Sequence, residues 1–305
     1  MPSLRARILD RVLRRIVRDR LETLPLNAAT IGATRRGMER YGTRMRPPKG
    51  HERVQTALGG VPTEWTRRAG AHRAVLLYCH GGAYLVGSPV PYRLLAGQLA
   101  RAGKCDVAVL DYRLAPEHPF PAARDDALAA YRALLDSGLP SSRIAIAGDS
   151  AGGNLAAVTL GSIRREGLPQ PAAAVLLSPW TDMTGSGSSI RSNAARDVML
   201  PASRLAEAAR LYAGDRSLAD PDISPLFAEW SGCPPLSVHV GGAEILLDDA
   251  TRLVARAKAS GVDATVRVWP GMPHVFPVFA PLLPEGSRAI REIGGFLTSR
   301  LAQAA

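Results

Sequence analysis

Short β-rich runs alternating with helical stretches constrain this chain more than any other feature. Eight are found, at 53–58, 62–68, 74–79, 106–110, 143–147, 172–177, 236–240 and 265–269. Most are continuously apolar, as strands buried on both faces must be. Helical periodicity falls between or beside them at 92–102, 123–137, 151–166, 247–260 and 287–303. The alternation predicts an α/β fold with a mainly parallel eight-stranded sheet and helices on both faces. In such sheets the reactive groups sit on loops beyond the carboxyl ends of the strands. With 305 residues, 46% of them hydrophobic, the chain can bury one large core.

Two segments depart from the alternation. Residues 184–228 are rich in Ser, Gly, Pro and Asp around a helix near 203–212, and read as a cap inserted between strands. The first 50 residues are the other, giving an N-terminal helical cap segment at 1–50 ahead of a catalytic domain at 51–305. Most of the net charge of +11 lies here, since residues 1–53 hold 14 Lys and Arg against 5 Asp and Glu. Leu4, Ile8, Val12 and Ile16 recur every four residues, with Leu13, Val17 and Leu21 close to the same stripe, so the segment reads as an amphipathic helix with an arginine-rich outer face. Such a helix suits anionic lipid or nucleic acid as well as a protein surface. Arginine spread among acids without interleaved aromatics argues against nucleic acid. So regular a stripe is expected to be buried against the protein, over the mouth formed by the loops beyond the strand ends.

The first 26 residues hold no uninterrupted apolar stretch long enough for a signal-peptide core, and no run approaches the roughly 18 apolar residues of a membrane span. A soluble, cytoplasmic protein without an integral membrane segment is expected. Cys79, Cys105 and Cys233 form no paired motif and are expected to be reduced thiols rather than zinc ligands or a disulfide framework. The sequence leaves room for a homodimer.

Gly148-Asp149-Ser150-Ala151-Gly152 joins an apolar run to a helical one. As letters, G-x-S-x-G is a modest signal. Its strand-turn-helix setting is what a nucleophile elbow needs, with glycines permitting a tight turn that exposes Ser150 at a helix N-terminus. His80-Gly81-Gly82-Ala83-Tyr84 follows the run 74–79 directly. There the backbone N–H groups of Gly81, Gly82 and Ala83 can face an oxyanion, joined by that of Ala151 after the nucleophile. His80 reads as fixing this loop.

A serine nucleophile needs a base, and the base needs an acid to hold its tautomer. His274 follows the last strand on a loop of Pro and Gly, which satisfies the order Ser, acid, His. His51, His72, His118 and His239 suit structural roles. After the run 236–240, the first carboxylate is Glu244, whose side chain at a strand end can reach the histidine loop. Asp248 and Asp249 already lie in the next helix and suit its N-terminal turn, with Asp248 the alternative acid. Asp149 is read as bracing the elbow and Glu117 as bonding loop N–H groups beneath the site.

Together with Asp111-Tyr112-Arg113-Leu114-Ala115-Pro116-Glu117-His118-Pro119-Phe120-Pro121-Ala122, these motifs resemble the hormone-sensitive-lipase family of α/β-hydrolase esterases, bacterial family IV, from about Gly50 onward. The family places its acid, usually Asp in D-x-L-x-D, about 30 residues before the histidine; Glu244 occupies that spacing here. The resemblance implies the α/β-hydrolase fold, an N-terminal cap and short- to medium-chain acyl ester substrates. A serine carboxylesterase with the triad Ser150, Glu244 and His274 is the expected function, with a small-molecule ester as partner and no nucleic acid. The scheme requires no metal and no organic cofactor. A lactone hydrolase or amidase with the same triad is the alternative. The plant gibberellin receptors, which resemble the family but lack the working histidine, represent a non-catalytic alternative that His274 opposes.

Overall fold

The computed structural model describes residues 2–43, 46, 49–68 and 74–301. Helices α1 (Leu4–Leu13), α2 (Asp19–Thr23) and α3 (Ala28–Gly42) come first, with a π-helical turn (Arg14–Arg18) joining α1 to α2. The rest alternates as β1 (His51–Leu58), β2 (Val61–Arg68), β3 (Val75–Cys79), α4 (Arg93–Gly103), β4 (Asp106–Leu110), α5 (Ala122–Asp136), β5 (Ile144–Asp149), α6 (Ala151–Arg165) and β6 (Ala173–Leu177). It continues with α7 (Ser189–Ser192), α8 (Ala202–Ala213), β7 (Leu236–Gly241), α9 (Leu247–Ala259), β8 (Ala264–Trp269) and α10 (Pro284–Arg300).

All eight expected strands form one sheet, in the order β1-β2-β4-β3-β5-β6-β7-β8. β1 and β2 pair antiparallel, β2 pairs antiparallel with β4, and every other pairing is parallel. The helix expected at 287–303 is found as α10; Gln303 lies outside the described residues, as does His72.

Why the central runs are apolar throughout is visible in β3. Val75, Leu77 and Cys79 enter one core layer with Leu128 of α5, Leu155 of α6 and Leu253 of α9. Leu76 and Tyr78 enter the opposite layer with Leu95 and Leu99 of α4 and Ile293 and Leu297 of α10. The period of two sends alternate side chains to opposite faces, and helices cover both. At Gly294 an added Cβ would lie 2.6 Å from the Ala102 carbonyl oxygen, so the missing side chain lets α10 close on α4.

The N-terminal segment corrects one expectation. Leu4, Ile8, Val12 and Ile16 are 73%, 52%, 45% and 50% exposed; this stripe faces solvent. Of the positions read as close to the stripe, Leu13 is buried and Val17 and Leu21 are partly so; Ala6 is buried as well and packs with Trp269, Met272, Phe276 and Leu283, with partly buried Leu9 alongside. Ala6 and Leu13, seven residues apart, lie within about 20° of one another around the helix, and that line, opposite Leu4 and Ile8, is the one that meets the protein. Two of the arginines are engaged with the protein: exposed Arg14 donates to the Ala195 carbonyl, and partly buried Arg18 to those of Asp197 and Leu200. Helix α3 starts from a capping box of Asn27 and Thr30. Its Arg35 donates to the carbonyls of Leu85 and Ala115.

Candidate active site

Because β3, β5, β6, β7 and β8 are successive neighbours and all parallel, their carboxyl ends share one edge of the sheet. Residues 80–84, 150, 178, 244 and 274 follow those ends in turn. Chain separation thereby becomes spatial proximity.

Ser150 stands between β5 and α6 at φ 54°, ψ −122°, a conformation few non-glycine residues adopt. Its N–H donates to the Leu177 carbonyl at 2.9 Å and its carbonyl accepts from the Trp180 N–H at 3.0 Å. The flanking glycines have no room for side chains: a Cβ on Gly148 would meet the Gly152 carbonyl oxygen at 2.1 Å, and one on Gly152 the Cys79 oxygen at 2.0 Å. This backbone crowding explains the elbow motif.

On the loop after β3, Gly82, Ala83 and Tyr84 have φ of 121°, 54° and 62°. Successive residues of positive φ make an anion-binding concavity of backbone N–H groups. Tyr84 is held by stacking on Tyr212 of α8 at 3.6 Å and by a hydrogen bond from its hydroxyl to Asn154 Oδ1 at 2.7 Å. Gly81 corrects the sequence reading, because its N–H donates to Tyr92 Oη at 2.8 Å and Asp149 Oδ1 at 3.0 Å. That group is spent below the loop. The N–H groups of Gly82 and Ala83 donate to no other described residue, and that of Ala151 lies in the first turn of α6, where helices leave donors unpaired.

Asp149 braces more than the elbow. Beneath the loop it accepts from Tyr78 Oη at 2.9 Å, Tyr92 Oη at 2.9 Å and the Gly81 N–H. Burial raises its pKa to about 6, opposed by the two tyrosine hydroxyls and the charge of His274. His80, stacked on Tyr112 at 4.3 Å, has its Nδ1 2.8 Å from the Gly81 carbonyl oxygen. Burial lowers its pKa to about 4, so it is neutral and fixes the loop as read.

His274 Nδ1 and Glu244 Oε2 lie 2.6 Å apart, both buried. Glutamate reaches because the turn after β7 leans onto the histidine loop, where the Gly242 and Ala243 N–H groups donate to the carbonyls of Trp269 and Met272. Gly241 permits this approach, since its Cβ would sit 2.2 Å from the Met272 oxygen. The remaining carboxylate oxygen, Oε1, accepts from the Gly241 N–H at 2.6 Å and from Ser178 Oγ at 2.7 Å. Burial alone would lower the pKa of His274, but the charge and hydrogen bond of Glu244, together with the charges of Asp197 and Asp149, outweigh it and the net shift is upward.

Ser178 escaped the sequence reading. At φ 45° it directly follows β6, donates to Glu244 and accepts from the Val275 N–H at 3.0 Å, so one hydroxyl ties the acid to the residue after the histidine. Its only sequence signal is position, the first residue beyond an apolar run. Asn193 and Asp197, from the insertion, bond the Glu244 carbonyl and the Ile245 N–H.

Other carboxylates fall elsewhere. Asp248 accepts from Ser188 Oγ and the Ser189 N–H of the insertion, and Asp249 from the N–H groups of Thr181 and Asp182 on the loop that follows β6, so both tie α9 to the chain beyond β6. Glu117 corrects its expectation as well: it forms a two-point ion pair with Arg35 of α3 at 2.9 Å. His239 lies within β7, accepts from Trp269 Nε1 at 3.2 Å, and is held neutral by burial. The three cysteines are free thiols. No helix among the described residues is long and apolar enough to cross a membrane.

A family model described as the α/β hydrolase fold matches residues 76–278. An acetyl-hydrolase of Streptomyces hygroscopicus is 42% identical over 260 residues, covering 81% of this chain and 87% of that protein. An esterase of Acinetobacter venetianus is 35% identical over 243 residues, covering 79% and 80%. Among solved structures, an esterase from the bacterial hormone-sensitive lipase family superposes with a TM-score of 0.91 at 43% identity, over 99% of this chain and 100% of that one. A hormone-sensitive lipase from a metagenome library superposes with a TM-score of 0.92 at 40% identity, over 99% and 100%.

Proposed function

This chain belongs to the α/β-hydrolase fold family and to its bacterial hormone-sensitive-lipase branch, and on that premise we propose that it is a serine carboxylesterase working through Ser150, His274 and Glu244. Ester hydrolysis is the chemistry its named relatives share. The observation that carries the finer reading is the buried His274–Glu244 pair on the loops beside a strained Ser150.

Since Nδ1 of His274 is committed to Glu244, Nε2 is left to take the Ser150 proton as Oγ attacks the acyl carbon. The carbonyl oxygen gains charge and meets the N–H groups of Gly82, Ala83 and Ala151. His274 returns the proton to the departing alcohol, then activates the water that releases the acid. The segment 1–50 and the insertion 184–228 form the cap: α1 packs on the histidine loop, and α3 holds the loop around Leu85.

Short- to medium-chain acyl groups are supported by the acetyl-hydrolase of Streptomyces hygroscopicus. Rates on p-nitrophenyl esters should be high from acetyl to octanoyl and fall steeply towards palmitoyl. A profile rising to palmitoyl would overturn the chain-length reading. Turnover confined to a parallel lactone panel would move the substrate class to lactones.

Ser178 acts as a positioning residue. Ser178→Ala removes one donor from Glu244 and leaves the buried Val275 N–H unpaired, which should lower unfolding stability by about 1–3 kcal/mol. Loosening the acid and the histidine loop should reduce kcat by up to about a hundredfold with KM nearly unchanged. Denaturant titration and steady-state kinetics check both, and an unaltered kcat would confine Ser178 to a packing role.

A further inference from the structure

We propose that α1 is a docking surface for anionic lipid bilayers. Five of the eight large apolar side chains exposed among the described residues, Leu4, Ile8, Val12, Ile16 and Leu24, lie in the first 24 residues. Leu4, Ile8 and Val12 form a ridge on the outer face of α1, opposite the buried Ala6 and Leu13. At about 100° per residue, Arg7 and Arg11 flank the ridge on one side and Arg5 on the other, and all three are exposed. Leu282, 66% exposed, immediately precedes Leu283, which packs in the cluster holding Ala6.

An apolar ridge between rows of arginine is the pattern of a helix lying in a bilayer interface, its apolar side chains among the acyl chains and its guanidinium groups at the phosphates. Charge selects this occupant over a second copy of the chain. Residues 4–23 carry 7 Arg against 3 Asp and Glu, and a two-fold contact through this face would set arginine rows against each other. Firm attachment below the ridge fits the same role. Arg14 and Arg18 bond carbonyls of the insertion, and Ser3 bonds Glu285 at 2.8 Å. The ridge is therefore displayed from a fixed helix.

Co-sedimentation of the full chain with phosphatidylglycerol or phosphatidylcholine vesicles tests this. Binding should be strong to phosphatidylglycerol, at least tenfold weaker to phosphatidylcholine, and reduced by salt. Ile8→Glu with Val12→Glu should lower binding to phosphatidylglycerol at least tenfold, and Arg5→Glu with Arg11→Glu should do likewise. Hydrolysis of p-nitrophenyl acetate in solution should stay at the wild-type rate in both pairs, which also reports that they fold. Wild-type protein remaining in the supernatant, or either folded variant sedimenting like wild type, would overturn the proposal. A dimer that the Ile8→Glu, Val12→Glu pair converts to monomer, without vesicle binding by the wild type, would assign the ridge to a second copy instead.

Discussion

Ser150→Ala should lower kcat by about 10⁶-fold, leaving only the residual rate that oxyanion donors and substrate binding supply without a nucleophile. The fold should persist. Alanine needs the same positive φ as serine, and the turn is imposed by backbone contacts of Gly148 and Gly152 and by the bonds of the Ser150 N–H and carbonyl to Leu177 and Trp180. An organophosphate should label the wild type with one equivalent at Ser150 and leave the variant unmodified. Peptide mapping locates the adduct, and a label on another serine would remove Ser150 from the mechanism.

Glu244→Gln should lower kcat by about 10⁴-fold, from two causes acting together. The amide carries no charge to stabilise the imidazolium. Its NH2 group can also donate to Nδ1, which would place the proton on Nε2, where it cannot accept from Ser150. The pH dependence supplies a second readout. In the wild type the histidine pKa is raised above its ordinary value because Glu244, with Asp197 and Asp149, outweighs burial. Only neutral His274 acts as the base, so kcat/KM should rise with pH through that elevated value. Removing the Glu244 charge takes away the leading contribution that opposes burial, and the residual acid limb of Glu244→Gln should move to lower pH. Asp248→Asn, with its carboxylate on Ser188 and Ser189, should change the rate by no more than a few fold. A larger loss in Asp248→Asn than in Glu244→Gln would transfer the acid role to Asp248.

Local patterns carried most of the architecture. Continuous apolarity marks a strand buried on both faces, and the cores of β3 to β6 were legible for that reason, whereas β7 carries Ser237 and His239 between its apolar residues; β5 and β7 end at Asp149 and Gly241, a residue or two beyond the runs read from sequence. The elbow was legible because its glycines answer to contacts within one strand-turn-helix unit. What stayed hidden depends on partners far along the chain. Glu117 looked local and instead pairs with Arg35, 82 residues away. Gly81 looked like an oxyanion donor until Asp149 and Tyr92 claimed its N–H.

By itself the sequence determined the sheet, its layers and the candidate nucleophile, base and acid, because side-chain period, turn chemistry and chain order act over a few residues at a time. Tertiary structure decided which donors remain free, how Glu244 is held by Ser178 and Gly241, and which face of α1 is buried. Periodicity can announce that a helix has two faces. Only the surface it meets, here Trp269, Met272, Phe276 and Leu283, selects the line of Ala6 and leaves the more apolar stripe to the solvent.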